Sequence, residues 1–310
     1  IGGLVEEMVS CTTGLFHEDE ELEIKASIIK LKAFAEGMVG FTDCRDGATG
    51  FVRWAETEEK RIALRMSPVY PRDFMMSHIM PGYRSVILTS ATLSVAGDFS
   101  FMTRVLGLEG AETLSVPSPF DFKKQIEVHI KRGINLRQPG SAEKLAAVII
   151  EEASRGDGGM LVLFTSRESM RAAWAIAGAA LREMGLNPMV QGEMPNRLML
   201  EIMRESENSV IFGLDSFWEG VDVKGDSLKC LIMAKLPFEV PTEPIVKART
   251  EEIELEGGNA FYEYSLPRAV LKFRQGFGRL IRSKSDSGRV IICDDRIETM
   301  AYGRTFLGSI

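Results

Sequence analysis

The chain has 310 residues, 45% of them hydrophobic and 26% charged, with a formal net charge of −7. This is an ordinary globular composition, and the length predicts about two domains. No apolar run approaches the ~18 residues of a membrane span, and an acidic total means that any nucleic-acid contact must come from local basic patches.

The four cysteines, Cys11, Cys44, Cys230 and Cys293, form no Cys-x-x-Cys pair. Cys230 and Cys293 lie in apolar, strand-like runs, where a buried free thiol is the ordinary outcome. This fits a reducing, cytoplasmic setting. His17, His78 and His129 are dispersed, so no metal site and no histidine-based catalysis is expected. Nothing near Ile1-Gly2-Gly3 reads as a signal peptide, and the lack of an initiator Met suggests a piece of a longer protein.

Taken in order, residues 1–45 read as a helical segment. Leu22, Ile24, Ile28, Leu31, Phe34 and Ala35 recur at helical spacing, and Gly37 and Gly40 are expected to break the helix. The run His17-Glu18-Asp19-Glu20-Glu21 lacks a preceding apolar strand and reads as a solvated acidic helix start. Residues 50–55 and 61–66 read as a hairpin ended by Pro68 and Pro71. Residues 73–78 read as a short helix. Val86-Ile87-Leu88 reads as a short buried strand that delivers Thr89-Ser90-Ala91-Thr92-Leu93 to a loop.

From about Val116 the pattern becomes regular. Strands are predicted at 126–130, 159–164, 189–190, 209–213, 228–234 and 289–293. Between them come a helix capped by Ser141 and running to Ala153, one capped by Thr165-Ser166 and ending near Gly185, and one opened by Pro195. Two more are predicted at 244–256 and 261–282. Strands alternating with helices imply an α/β, doubly wound parallel sheet with its sites at the carboxyl ends of the strands.

Four stretches stand out. In Gln275-Gly276-Phe277-Gly278-Arg279-Leu280-Ile281-Arg282, the last helix is expected to present Arg279 and Arg282 on one face. Gly276 and Gly278 each weaken a helix by about 1 kcal/mol, a cost that makes sense where a backbone or a phosphate approaches closely. Paired guanidinium forks suit phosphate oxygens, or plain surface carboxylates. Ser216-Phe217-Trp218-Glu219-Gly220-Val221-Asp222 follows a predicted strand. Thr89, Ser90 and Thr92 place hydroxyls on a loop, which is equally a Ser/Thr turn. Thr165 and Ser166 could hold a phosphate at a helix N-terminus or merely cap the helix.

The last helix resembles motif VI of superfamily-two helicases, in the version of the DinG/XPD group. Residues 89–93 resemble motif III of that group, 165–167 match the position of motif IV, and 216–222 resemble motif V, all in the expected order. The resemblance covers roughly residues 50–310. It implies a RecA-like second helicase domain over 116–310, a partial first domain over 46–115 that includes motif III, and, over 1–45, a helical segment that could end an arch insert.

The resemblance also implies roles. Arg279 and Arg282 would be arginine fingers on the γ-phosphate of ATP. Gln275 would orient water or a phosphate, or make a helix hydrogen bond. Gly220 and Gly278 would admit nucleotide, and Asp222 would take a ribose hydroxyl, pair with an arginine, or serve as a turn residue. Thr89, Ser90, Thr92, Thr165, Ser166 and Trp218 would couple ATP to a DNA track, with a place in the core as the alternative for Trp218. Phe217 is expected in the core. Asp294-Asp295-Arg296 resembles the Asp-x-Arg of the group and is expected to form a structural ion pair.

The implied activity is ATP-dependent unwinding of single-stranded or tailed DNA, 5′ to 3′, in repair or replication. ATP and Mg²⁺ would be held mainly by a domain outside this stretch. The four cysteines do not supply the iron–sulfur cluster carried by many relatives in the group. The alternative reading is a non-catalytic module that binds nucleic acid or a partner on a RecA-like scaffold. No Gly-x-x-x-x-Gly-Lys-Ser/Thr occurs, and no Gly-Lys pair at all. The isolated 310-residue polypeptide is therefore expected to show no DNA-stimulated ATP turnover in a phosphate-release assay; measurable turnover would overturn this reading.

Overall fold

The computed structural model describes residues 18–42, 50–58, 61–135, 138–218, 223 and 225–310. The chain divides into two compact units, one of residues 1–71 and 242–249, the other of residues 72–241 and 250–310.

In the first unit, helix α1 runs over Glu18–Thr42. It does not break at Gly37 or Gly40, contrary to expectation. Two glycines cost about 1 kcal/mol each, and local contacts offset part of that. The Gly40 carbonyl accepts from Arg53 Nε at 3.1 Å, and Thr42 Oγ1 donates to the Met38 carbonyl at 2.8 Å. Of the apolar stripe only Ile28 is buried, while Leu22 and Phe34 are exposed. The expected hairpin forms from antiparallel strands β1 (Phe51–Glu58) and β2 (Arg61–Pro68). Arg249 Nε donates to the Val69 carbonyl at 2.6 Å, and its guanidinium lies over the Tyr70 ring.

The second unit is built on six strands: β3 (Ile126–Ile130), β4 (Met160–Leu163), β5 (Asn187–Val190), β6 (Ser209–Gly213), β7 (Cys230–Met233) and β8 (Gly288–Ile292). Their order is β3-β8-β7-β4-β6-β5. Every pairing is parallel, as the alternating pattern predicts. Both faces are covered, so the central strands are apolar throughout. Leu161, Leu163, Ile211, Leu231 and Val290 pack with α5 (Asn196–Glu205), α6 (Leu266–Phe277) and α7 (Gly303–Leu307). Met160, Val162, Phe212, Cys230 and Ile291 pack with α3 (Ser141–Ala153) and α4 (Arg167–Glu183).

Local details correct several expectations. Ser141 is the first residue of α3 rather than its cap; Gly140, with φ of 80°, occupies the cap and carries no side chain to accept a bond. Pro195 stands one position before α5. Ser166 does cap α4, its hydroxyl accepting from the Ser169 amide at 3.2 Å. Val86-Ile87-Leu88 is not a buried strand: no ladder includes it among the described residues, and Ile87 is 88% exposed. An apolar tripeptide becomes a strand only with a neighbour to bond to. The segment around it nonetheless packs within this unit. Helix α2 (Ser100–Leu106) is tied by an Arg104–Glu263 ion pair, Arg72 Nη2 meets Glu252 Oε1 at 2.9 Å, and Arg274 Nη1 donates to the Ser94 carbonyl at 2.6 Å.

At the amino ends of the strands lies a buried ionic cluster. Glu152 is 2% exposed and meets Arg155 Nε at 3.0 Å, Arg289 Nε at 3.3 Å and Lys131 Nζ at 3.5 Å, while Arg289 also binds Asp157. Cys230 and Cys293 are buried free thiols, as expected, and burial pushes both up to about 12. Cys11 and Cys44 lie outside the described residues.

At the carboxyl ends, Asp294 is bound by the Arg296 guanidinium at 2.6 Å and by the Leu236 amide at 2.9 Å, the structural ion pair that the Asp-x-Arg spacing predicts. Burial alone would raise the Asp294 carboxyl, but Arg296 and the Leu236 amide hold it below the usual range. A depressed native pKa contributes stability above the unfolded value of about 3.9, and that contribution is lost as pH falls through the native value. Asp294→Asn should therefore lower stability to urea at pH 7 and lose less on going to pH 3 than the wild type does. Equal acid-side losses in the two proteins would refute the assignment.

Candidate functional site

A cleft of about 490 Å³ opens within the second unit at the carboxyl ends of β4 and β6. Three stretches far apart in sequence line it, with Met102 and Glu239 beside them: Ser90, Thr92 and Leu93; Asp215 and Ser216; and Arg268, Leu271, Lys272 and Gln275 of α6. Positions 268, 271, 272 and 275 fall on one side of the helix, so α6 turns a largely polar face to the cleft and its Val270, Phe273 and Phe277 to the core.

The anchor of this arrangement is Trp218. It is 0% exposed, and its indole N–H donates to the Phe164 carbonyl at 3.2 Å. A Cβ on Gly276 would stand 2.8 Å from the Trp218 ring and 3.1 Å from Met233. The cost of Gly276 to the helix thus makes room for an indole rather than for a phosphate. Gly278 is the C-cap of α6, where a Cβ would meet only the carbonyls of its own turn, at 3.4 Å and beyond.

The cleft is rich in donors. Lys272 Nζ meets Asp215 Oδ1 at 2.7 Å and lies 5.8 Å from the Trp218 ring centre. Arg268 Nε meets Glu239 Oε1 at 2.9 Å, and the Tyr264 hydroxyl donates to Glu239 Oε2. Both carboxylates in the cleft are therefore matched by cations. Ser90 and Thr92 form a local turn, with the Thr92 amide donating to Ser90 Oγ at 3.2 Å. Such a set suits anionic oxygen atoms.

Residues 149–310 match the family described as helicase C-terminal domain. The chain belongs to that family. Among its relatives, the ATP-dependent DNA helicase YoaA of Escherichia coli K12 is 39% identical over 262 residues, which cover 84% of this chain and 41% of that protein. The ATP-dependent DNA helicase DinG of Photobacterium profundum is 33% identical over 86% of this chain and 40% of its own length. A Bacillus subtilis protein named 3′-5′ exonuclease DinG is 35% identical over 83% of this chain and 29% of its own. The chain thus spans about 40% of the length of the first two. A solved XPD helicase structure superposes with a TM-score of 0.64 at 15% identity, covering 99% of this chain and 54% of that one, and so shares the fold.

The helicase motifs are only partly gathered. Ser90, Thr92 and Gln275 meet in the cleft, whereas Thr89 is exposed outside its lining. Arg279 and Arg282 do not share a helix face, because α6 ends at Phe277. Gly278 caps it, and beyond the cap the Arg282 and Ser283 amides each donate to the Asp286 carboxylate at 2.8 Å, folding the chain into a turn. Burial would raise the Asp286 carboxyl, and these donors with the Ser283 hydroxyl hold it below its ordinary range. Arg279 Nε reaches back to the carbonyls of Trp218 at 3.2 Å and Gln275 at 3.1 Å. Trp218, expected on a DNA track, is core and has no surface to offer a base, and Phe217 is core as predicted. Thr165 and Ser166 sit at the start of α4, outside the cleft lining. Glu219, Gly220 and Asp222 lie outside the described residues.

Sequence reasoning missed Gln191, Asn196, Asp215, Arg268 and Lys272. The helical spacing of 268, 272 and 275 and the position of Gln191 just after β5 were the available signals. Gly276→Ala should destabilise the fold by about 1–3 kcal/mol through overpacking, whereas Gly278→Ala should change it much less. Urea midpoints measure both, and equal effects would deny Trp218 its place as anchor.

Proposed function

We propose that this chain is part of the motor core of an ATP-dependent DNA helicase, and that residues 116–310 act as its second RecA-like domain. The observation that carries the reading is the cleft lined by the motif III hydroxyls Ser90 and Thr92, the Asp215-Ser216 entry to motif V, Lys272 and the motif VI residue Gln275. A relay between nucleotide and DNA needs such shared contact. The relatives named as DNA helicases support the choice of reaction.

In this reading residues 46–115 belong to the first motor domain. The phosphate loop and the magnesium-binding carboxylates come from outside this chain, which alone is inactive. The donor set fits a polyphosphate: hydroxyls, the Gln275 amide, and cations already near the cleft. ATP with Mg²⁺ supplies the phosphoryl transfer, which is mostly positioning and charge stabilisation. Arg279 and Arg282 act as fingers on the γ-phosphate. Arg279 is suited to this by the two carbonyls that fix its Nε one turn beyond Gln275. Gly220, Gly278 and Asp222 border the nucleotide, and Thr89, Thr165 and Ser166 contact the DNA backbone. The substrate is single-stranded or tailed DNA, unwound 5′ to 3′ in repair or replication in the cytoplasm.

In the full-length protein, Arg279→Ala and Arg282→Ala should each lower DNA-stimulated ATPase kcat by about 10³-fold or more while leaving the fold intact. Lysine at either position keeps the charge without the fork and should stay impaired. A surface ion pair is worth only about 0–1 kcal/mol to stability, so near-normal turnover in both alanine variants would remove the finger role.

A further inference from the structure

One hydroxyl in the cleft is held in an unusual way. Ser216 is exposed and lines the cleft, and two side chains from outside the motifs converge on its oxygen. Gln191, just after β5, donates from Nε2 to Ser216 Oγ at 2.9 Å. Its orientation is set independently, because Gln191 Oε1 accepts from the Leu214 amide at 2.6 Å and a backbone N–H can only donate. Asn196, the first residue of α5, donates from Nδ2 to the same Ser216 Oγ at 2.9 Å.

A serine oxygen has two acceptor positions and one hydrogen. Two amide donors fill both acceptor positions, so the hydroxyl has only its hydrogen left to offer. The neighbouring Lys272 and Arg268 put positive charge on the same wall. We propose that Gln191 and Asn196 are positioning residues that lock Ser216 as a dedicated hydrogen-bond donor to a phosphate oxygen. The phosphate belongs either to a single-stranded DNA backbone or to a nucleotide; both offer the same acceptor. The choice of probes rests on the helicase reading, and the lock itself rests on the three hydrogen bonds.

The test uses the 310-residue chain and two probes at low salt: a labelled oligothymidylate followed by fluorescence anisotropy, and a non-hydrolysable ATP analogue with Mg²⁺ followed by calorimetry. Ser216→Ala should weaken one probe about tenfold, as expected for loss of a hydrogen bond to a charged group, and the probe affected identifies the source of the phosphate. Ser216→Thr keeps the hydroxyl and should retain binding.

Gln191→Glu still accepts from Leu214 but no longer donates to Ser216. The hydroxyl then turns to the new carboxylate, and binding should fall as in Ser216→Ala. In the double variant Gln191→Glu/Ser216→Ala, binding should be no weaker than in Ser216→Ala alone. Mere repulsion by the new charge, or a structural role for Gln191, would add a further loss in the double variant and overturn the proposal. Wild-type affinity in Ser216→Ala would overturn it as well. Failure of the wild-type chain to bind either probe would overturn this inference, as would normal binding with insensitive variants; the helicase reading takes its phosphate loop from outside this chain and is tested separately by the Arg279 and Arg282 variants.

Discussion

The Trp218 indole lodged against Gly276 is the contact on which the rest of the second unit depends. It joins three places that are remote in sequence: the end of β4 through the Phe164 carbonyl, the turn after β6, and the polar-faced helix α6. Burying an aromatic side chain removes about 150–250 Å² from water, worth about 4–6 kcal/mol at the usual area coefficient. A glycine in a helix costs about 1 kcal/mol. The exchange favours the notch, and the wall of the cleft follows from it. Asp215 and Ser216 stand within one turn of Trp218, and Lys272 and Gln275 flank Gly276. The Trp218 backbone carbonyl receives Arg279 Nε, so core packing sets where that guanidinium begins.

Much of the fold was legible in the sequence because its signals are local or periodic. The apolar runs of β4, β6, β7 and β8 can only be buried strands, and their alternation with amphipathic stretches requires parallel pairing with crossovers. Ser166 caps α4 as its type predicts. The Asp294–Arg296 pair forms because two residues of spacing after a strand leave little else for those charges to do.

The misses share a cause, which is dependence on partners distant in sequence. Gly40 looks like a helix breaker until Arg53 is seen to use its carbonyl. Val86-Ile87-Leu88 has the composition of a strand, but composition cannot supply a neighbour. Arg279 and Arg282 share a helix face only if the helix continues, but it ends at Phe277, and Asp286, from beyond the motif, folds the Arg282 segment into a turn. Gly276 was read as clearance for a ligand when it is clearance for Trp218. Gln191 and Asn196, which stand behind the cleft residue Ser216, carry no motif at all; only the folded chain brings them to it.

The buried cluster of Glu152, Arg155, Asp157 and Arg289 sits at the amino ends of the strands, while the cleft sits at their carboxyl ends. The sheet therefore separates this ionic cluster from the groups that line the cleft by the length of its strands. Such a layout lets the two poles diversify independently. Lineages adapting to heat or salt can rewire the ionic pole while the working pole keeps its chemistry, and a library aimed at hardening this domain has a natural place to begin.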